Sequence, residues 1–196
     1  MTQAAVPLPL DGVKVVELSH LIAAPYAGML MAEEGAEVIK VEPPEGELGR
    51  SREPTRKLGP HRVSGHFGGH NRGKRSIALD LKTEAGRGVM RKLLAEANIF
   101  ITNVRPQALG RLGLDPDALH AEFPHLVIVV ITGFGYRNAG PWAGRAGLAM
   151  VGEALSGATG LTRDHQGNPV WCGFALGDVA AALTAHSLAL LGLRQQ

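Results

Sequence analysis

The sequence predicts an α/β domain wound on both sides of a mostly parallel sheet. Three observations predict it. Short apolar runs with strand character alternate along the chain with segments of helical period. The first two of these strands and the helix between them form a unit of about 30 residues, the βαβ signature of parallel pairing. The last strand, Leu126 to Thr132, is an unbroken apolar run, as expected of a strand covered on both faces.

Taken in order, Val13 to Leu18 reads as a buried strand and Tyr26 to Glu34 as the helix after it, stopped at Gly35. Glu37 to Glu42 is the second strand, ended by Pro43 and Pro44, which lack the N–H that a ladder needs. Glu45 to Asn71 shows no clear period, and its glycines argue against a helix; so long an excursion is commonly functional or mobile. Ser76 to Leu81 is a strand, Thr83 to Ala97 a helix with Thr83 as its cap, and Asn98 to Thr102 another strand. Short helices follow near Gln107–Leu112 and Pro116–Glu122, then the Leu126–Thr132 strand, closed by Gly133-Phe134-Gly135-Tyr136. A helix near Leu148–Leu155 and a long one from Asp178 to Leu193 complete the pattern, with no internal repeat. The chain stops at Leu193-Arg194-Gln195-Gln196, directly off a helix, which reads as a cut rather than a finish.

Composition narrows the function classes. A length of 196 residues suits one domain with a substantial core. A formal net charge of +2 indicates neither disorder nor bulk nucleic-acid binding. The 26 glycines, about twice the usual share, point to many tight turns or close backbone approaches. Cys172 is the only cysteine, so no disulfide framework or thiolate metal cluster is expected. No run reaches the roughly 18 apolar residues of a membrane helix, and Met1 to Pro9 has no secretory character. A cytoplasmic protein with no membrane or nucleic-acid partner is the expectation.

Several motifs carry possible chemistry. Gly68 to Arg75 comes within one residue of a phosphate-binding P-loop, but Arg75 stands where a Ser or Thr must hold magnesium, which excludes nucleotide hydrolysis. Lys74 and Arg75 remain a candidate anion site, or ordinary solvated charge. Gly133-Phe134-Gly135 has Asn138 in place of the third glycine of the dinucleotide fingerprint, although turns after parallel strands are where such folds bind ligands. His61, His66 and His70 have no acid or cysteine at ligand spacing, so no metal is expected. No G-x-S-x-G elbow exists for a serine hydrolase. The turn Gly173-Phe174-Ala175-Leu176-Gly177-Asp178 puts a carboxylate where a helix begins. An Asp there is ordinarily a cap, accepting from a free backbone N–H, and the N–H groups with the helix dipole favour its charged form. Asp178 is therefore expected to be an ionised carboxylate beside glycines that admit a close approach.

Together these segments resemble the family III CoA-transferases, the group that includes formyl-CoA and carnitine CoA-transferases and the α-methylacyl-CoA racemases. The resemblance runs through Pro9 to Ser19, Ala24-Pro25-Tyr26-Ala27, Gly35 to Glu42, Lys74 to Lys82, Arg111-Leu112-Gly113, Gly133-Phe134-Gly135, Ala154-Leu155-Ser156-Gly157 and Leu176-Gly177-Asp178. It implies a Rossmann-like fold and a nucleophilic role for Asp178, which would carry CoA as an aspartyl thioester between an acyl-CoA and a carboxylic acid. It further implies that His20, Leu21, Ile22 and Ala23 lie along CoA. Lys74 and Arg75 would offer charge to its phosphates, and Asn103, Val104, Arg111 and Leu112 would border its nucleotide end. CoA would enter as acyl-CoA substrate, with no permanently bound cofactor and no metal.

The departures from the family pattern also carry expectations. Racemases of this group hold a His-Asp pair ahead of the Ala-Leu-Ser-Gly motif, where this chain has Leu148 and Ala149, neither of which can move a proton. Val104 follows Asn103 in place of an aromatic, and Pro43 replaces an arginine of some members. Family members run to about twice this length. Residues 1–196 are thus expected to be the N-terminal part of the large Rossmann-like CoA-binding domain. The small domain and the C-terminal closing segment, present where complete chains interlock as homodimers, would be absent. A CoA-transferase is the leading reading, ahead of a catalytically incompetent CoA-binding part or subunit and of an acyl-CoA racemase.

Overall fold

The computed structural model describes residues 6–137 and 140–196. Asn138, which breaks the dinucleotide fingerprint, lies outside them. Five strands form one sheet: β1 (Lys14–Leu18), β2 (Glu37–Glu42), β5 (Arg75–Ala78), β6 (Ile99–Thr102) and β7 (Val127–Val130). A short antiparallel pair, β3 (Thr55–Leu58) and β4 (His61–Ser64), lies between β2 and β5 in the chain. The helices are α1 (Ala23–Glu33), α2 (Gly65–Asn71), α3 (Glu84–Glu96), α4 (Pro106–Arg111), α5 (Pro116–Glu122), α6 (Ala149–Leu155) and α7 (Leu176–Gln195).

The large sheet has the order β5-β2-β1-β6-β7, and every neighbouring pair is parallel. From β1 the chain winds outward through β2 to β5, then returns to the other side of β1 as β6 and β7. The winding reverses between β1 and β6, which leaves a crevice at their carboxyl ends, where such sheets bind ligands. Alternation of side chains along each strand builds two cores. Val15, Val38, Ile99, Ile101 and Val129 face α1 and α7, packing on Ala24, Ala27, Met31, Ala182, Ala185 and Ala189. Val16, Val41 and Phe100 face the other way, onto Met90, Leu94, Leu109 and Leu119 of α3, α4 and α5. The doubly wound α/β expectation is met.

Two element readings need correction. The segment read as non-helical contains α2, despite Gly65, Gly68 and Gly69. Its first turn is held by Ser64, whose Oγ accepts from Phe67 N at 3.1 Å and donates to Arg52 O at 2.6 Å. The Arg50 guanidinium also lies 3.9 Å from the centre of the Phe67 ring. Tertiary contacts here override weak local propensity. The most apolar strand, β7, is an edge of the sheet. Only Val129 is fully buried there, and Val127, Ile128 and Val130 are half-buried. By length and composition α7 could cross a membrane, the one such helix among the described residues, but Ala182, Ala185 and Ala189 seat it in the core. The opposite side of α7 exposes Leu183, Leu188 and Leu191, and α6 exposes Met150 and Leu155 nearby.

Candidate active site

The turns after β1 and β6 meet at the point where the winding reverses, and they are tied together. His20 N donates to Asn103 Oδ1 at 3.0 Å, and Asn103 Nδ2 donates to His20 O at 2.8 Å. Leu21 follows in a left-handed conformation, φ 64°, which is strained for a side chain of this size. Its N–H is held by Glu47 Oε2 at 3.2 Å, an oxygen that also accepts from Gly49 N at 2.7 Å. Burial, with the charges of Lys40 and Arg105 nearby, holds the His20 imidazole below its ordinary range despite Glu47.

A second layer of charge lies beneath. Glu17, Lys40 and Lys74 are wholly enclosed, with Lys40 Nζ 2.8 Å from Glu17 Oε1 and Lys74 Nζ 2.7 Å from Glu17 Oε2. Burial opposes the Glu17 charge, but the two lysines outweigh it and hold its carboxyl below the usual range. Lys74 also donates to Pro25 O, His70 O and Asn71 Oδ1. Burial, partly offset by Glu17, lowers its ammonium to about 8. At the end of β2, Glu42 accepts two bonds from Arg50, both 2.6 Å, one from Ser76 Oγ at 2.5 Å and one from Glu47 N at 3.1 Å. Burial works against that carboxylate, yet these donors bring it down to about 2.

Across the crevice the chain reaches Asp178 by a different kind of packing. Gly133, after β7, and Gly147, before α6, touch backbone to backbone: a Cβ on Gly133 would come within 2.3 Å of Gly147 Cα. Gly177 sits against α6, where a Cβ would lie 3.1 Å from Ala149 O. These glycines are used by the protein's own backbone, and they close a loop that carries Phe134, Trp142 and Arg145. The Phe134 and Trp142 rings stack at 5.4 Å, with the Arg145 guanidinium 4.8 Å from the Trp142 centroid.

Asp178 itself departs from the expectation. The cap position of α7 is Ala175, and Asp178 lies in the first turn with no capping bond. The carboxylate that engages this helix start is Glu153 of α6, which is buried and accepts from Gly177 N at 3.2 Å. Burial first, and Glu153 second, push the Asp178 carboxyl up from its ordinary value, against a smaller opposing effect of His70. Desolvation and a like charge outweigh the helix dipole.

One cleft of about 440 Å³ is lined by Asp178, by His20, Leu21, Ile22 and Ala23, and by Asn103. The expected nucleophile and the expected CoA-flanking segment are therefore together, joined by Arg105, Gln107, Trp142 and Arg145. A second cleft, of about 570 Å³, lies over the ends of β1 and β2 and includes His20, Pro43, Glu47, Arg50 and Val104. The remaining expected residues are elsewhere. Lys74 is consumed by internal partners, so it offers no free charge. Arg75 is exposed on the far edge strand, paired with Glu37. Arg111 is on the end of α4 outside both clefts, and Leu112 packs on the lower core. Glu153 and Glu47 were not anticipated. Glu153 did leave a signal, being the one charged residue between Arg145 and Arg163.

A family model described as CoA-transferase family III matches residues 10–196. The whole chain aligns at 37% identity with a succinyl-CoA–D-citramalate CoA-transferase of Chloroflexus aurantiacus, covering 48% of that protein. Over 91% of the chain, identity is 38% to a succinate–glutarate CoA-transferase of Agrobacterium fabrum, covering 45% of it. A crystal structure of a CaiB/BaiF family protein from Brucella suis matches with TM-score 0.87 and 37% identity, over 97% of this chain and 51% of that one. The chain spans about half the length of the curated relatives it matches.

Proposed function

Because this chain belongs to CoA-transferase family III, we propose that it is the N-terminal, nucleophile-bearing part of an enzyme moving CoA from an acyl-CoA thioester to a carboxylic acid. One observation carries the reading: Asp178 shares a cleft with the His20–Ala23 turn at the point where the sheet's winding reverses. In the first step an Asp178 carboxylate oxygen attacks the thioester carbonyl, forming a mixed anhydride and releasing CoA thiolate. The thiolate attacks the aspartyl carbonyl, giving the aspartyl-CoA thioester and freeing the donor acid as its carboxylate. The acceptor carboxylate then attacks that thioester, forming a second mixed anhydride and expelling CoA thiolate; the thiolate attacks the acceptor's carbonyl, breaking the anhydride to give the new acyl-CoA and the free Asp178 carboxylate. No net proton moves, and an environment that makes the Asp178 carboxylate more basic favours its attack.

CoA would pass along His20–Ala23, with its nucleotide end over Val104 and Pro43 in the second cleft. The two relatives are named for succinyl-CoA with D-citramalate and for succinate with glutarate. We extend that class, dicarboxylic acids, to this chain. Arg105 and Arg145 line the cleft, and neither forms an ion pair among the described residues, which leaves both open to a second carboxylate. The racemase reading lacks support, since Leu148 and Ala149 line the same cleft and carry no proton. In its complete form the enzyme would act in the cytoplasm as an interlocked homodimer, covering the exposed leucines of α6 and α7.

The test is mass spectrometry of the purified chain after incubation with succinyl-CoA and trapping by hydroxylamine. A hydroxamate at Asp178 is expected. An unmodified Asp178 with CoA still bound would make these residues a CoA-binding part that needs the remainder of the enzyme for chemistry.

A further inference from the structure

Glu153 is a buried acid that the proposed chemistry does not use. It stands 4% exposed on α6, and its Oε1 is 3.2 Å from Gly177 N, the residue directly before Asp178. We infer that Glu153 is a positioning residue for Asp178: it anchors the Gly177 N–H, fixing the turn that presents the nucleophile, and sets a like charge against it. The inference rests on the proposed function only in naming Asp178 the nucleophile.

Contacts on both sides of the turn support the anchoring and bring the Glu153 carboxylate to the residue next to Asp178. Gly177 is pressed against the Ala149 backbone, so the turn and α6 are in direct contact, and Glu153 lies one turn further along the same helix. A carboxylate acceptor makes a stronger bond to an N–H than a neutral one. Among groups facing Asp178, Glu153 from α6 opposes its charge and His70 from α2 favours it. Strand β7 consists of Val and Ile alone, and Tyr26 of α1 meets the His70 ring edge-on at 6.1 Å. His20, Arg105 and Arg145 border the open side of the cleft.

The like charge has a kinetic meaning. Asp178 is negative before it attacks and neutral as an anhydride or thioester. Repulsion from Glu153 therefore exists in the free enzyme and fades as Asp178 is acylated. An interaction that is worse in the ground state than along the reaction raises the rate.

Two variants separate anchoring from charge. Glu153→Gln keeps an oxygen for Gly177 N but removes the charge, and Glu153→Leu removes both. The charge is read by carbon-13 NMR titration of the aspartate carboxyls in the full chain, with Asp178 assigned by its loss in Asp178→Asn. The Asp178 midpoint is expected to fall in Glu153→Gln; an unchanged or higher midpoint overturns the charge role. Anchoring is read by hydrogen exchange at the Gly177 amide. Exchange is expected to be about tenfold faster in Glu153→Leu than in the other two proteins, the size of one lost hydrogen bond. Equal rates in all three overturn the anchoring role, and if Glu153→Leu does not fold, the Gln titration still decides the charge. Both readouts are independent of turnover, so a failed hydroxylamine trap would unseat the proposed function and leave this inference standing or falling on its own data.

Discussion

The two banks of the crevice are held in different ways. The bank after β1 and β6 is bound by polar groups: the His20–Asn103 pair, Glu47 on the Leu21 N–H, and the enclosed Glu17–Lys40–Lys74 cluster beneath. The bank that carries Asp178 is held by glycine-to-backbone contact at Gly133, Gly147 and Gly177, with one carboxylate bond from Glu153. It also leaves Leu183, Leu188 and Leu191 exposed. The difference is between a shelf cross-linked by polar groups and a wall packed by main chain, with leucines exposed on its outer side.

The sharpest break in that comparison is at the wall. Asp178→Ala in the complete enzyme is expected to lower the CoA-transfer rate by at least about 1,000-fold with CoA affinity little changed. Full activity of this variant, measured by exchange of label between acyl-CoA and free acid, would remove the wall from the chemistry.

The shelf should break through stability instead. Glu17→Ala leaves two buried ammonium groups without their carboxylate and is expected to destabilise by about 3–5 kcal/mol, read from the urea midpoint. A change under about 1 kcal/mol would mean that Lys40 and Lys74 are adequately served by Ser19, Pro25, His70 and Asn71 alone.

A pH series sharpens the picture at Glu42. Its folded value of about 2 lies below the ordinary 4.5, so its contribution is fully present above about pH 4.5 and is lost as pH falls toward 2. About 3 kcal/mol of stability is expected to go over that interval, and Glu42→Gln should flatten that part of the curve. The smallest effect is expected at Arg75, whose pair with Glu37 is exposed. Arg75→Ala should cost less than about 1 kcal/mol, and calorimetry should find CoA affinity unchanged. A clear loss of affinity would bring this edge strand into the binding surface.

The sequence was most legible where local pattern decides structure. Strand β2 and helix α5 have the limits that the residues predict, and Thr83 caps α3 as its position suggests, accepting from Gly86 N at 3.0 Å. Helix α2 was not legible, because its glycine-rich first turn is held through Phe67, whose N–H bonds Ser64 and whose ring lies under Arg50 from a distant segment. Lys74 and Arg75 are adjacent in the chain, yet one is sealed beneath α1 and the other lies in solvent; only the packing of distant elements separates them. The charge state expected of Asp178 followed from the helix end alone and missed the burial and the acid that α6 brings. Local rules placed Asp178 at the start of a helix, and long-range contacts set its environment.

The glycine pair at the base of the loop has a consequence for how the protein can diversify. Gly133 and Gly147 bring the two ends of the loop together main chain to main chain, so the contact at its base needs no side chain. The loop is a cassette on a fixed neck. Under the proposed function, Trp142 and Arg145 in that loop could be exchanged to suit a different acid while Asp178 keeps its place.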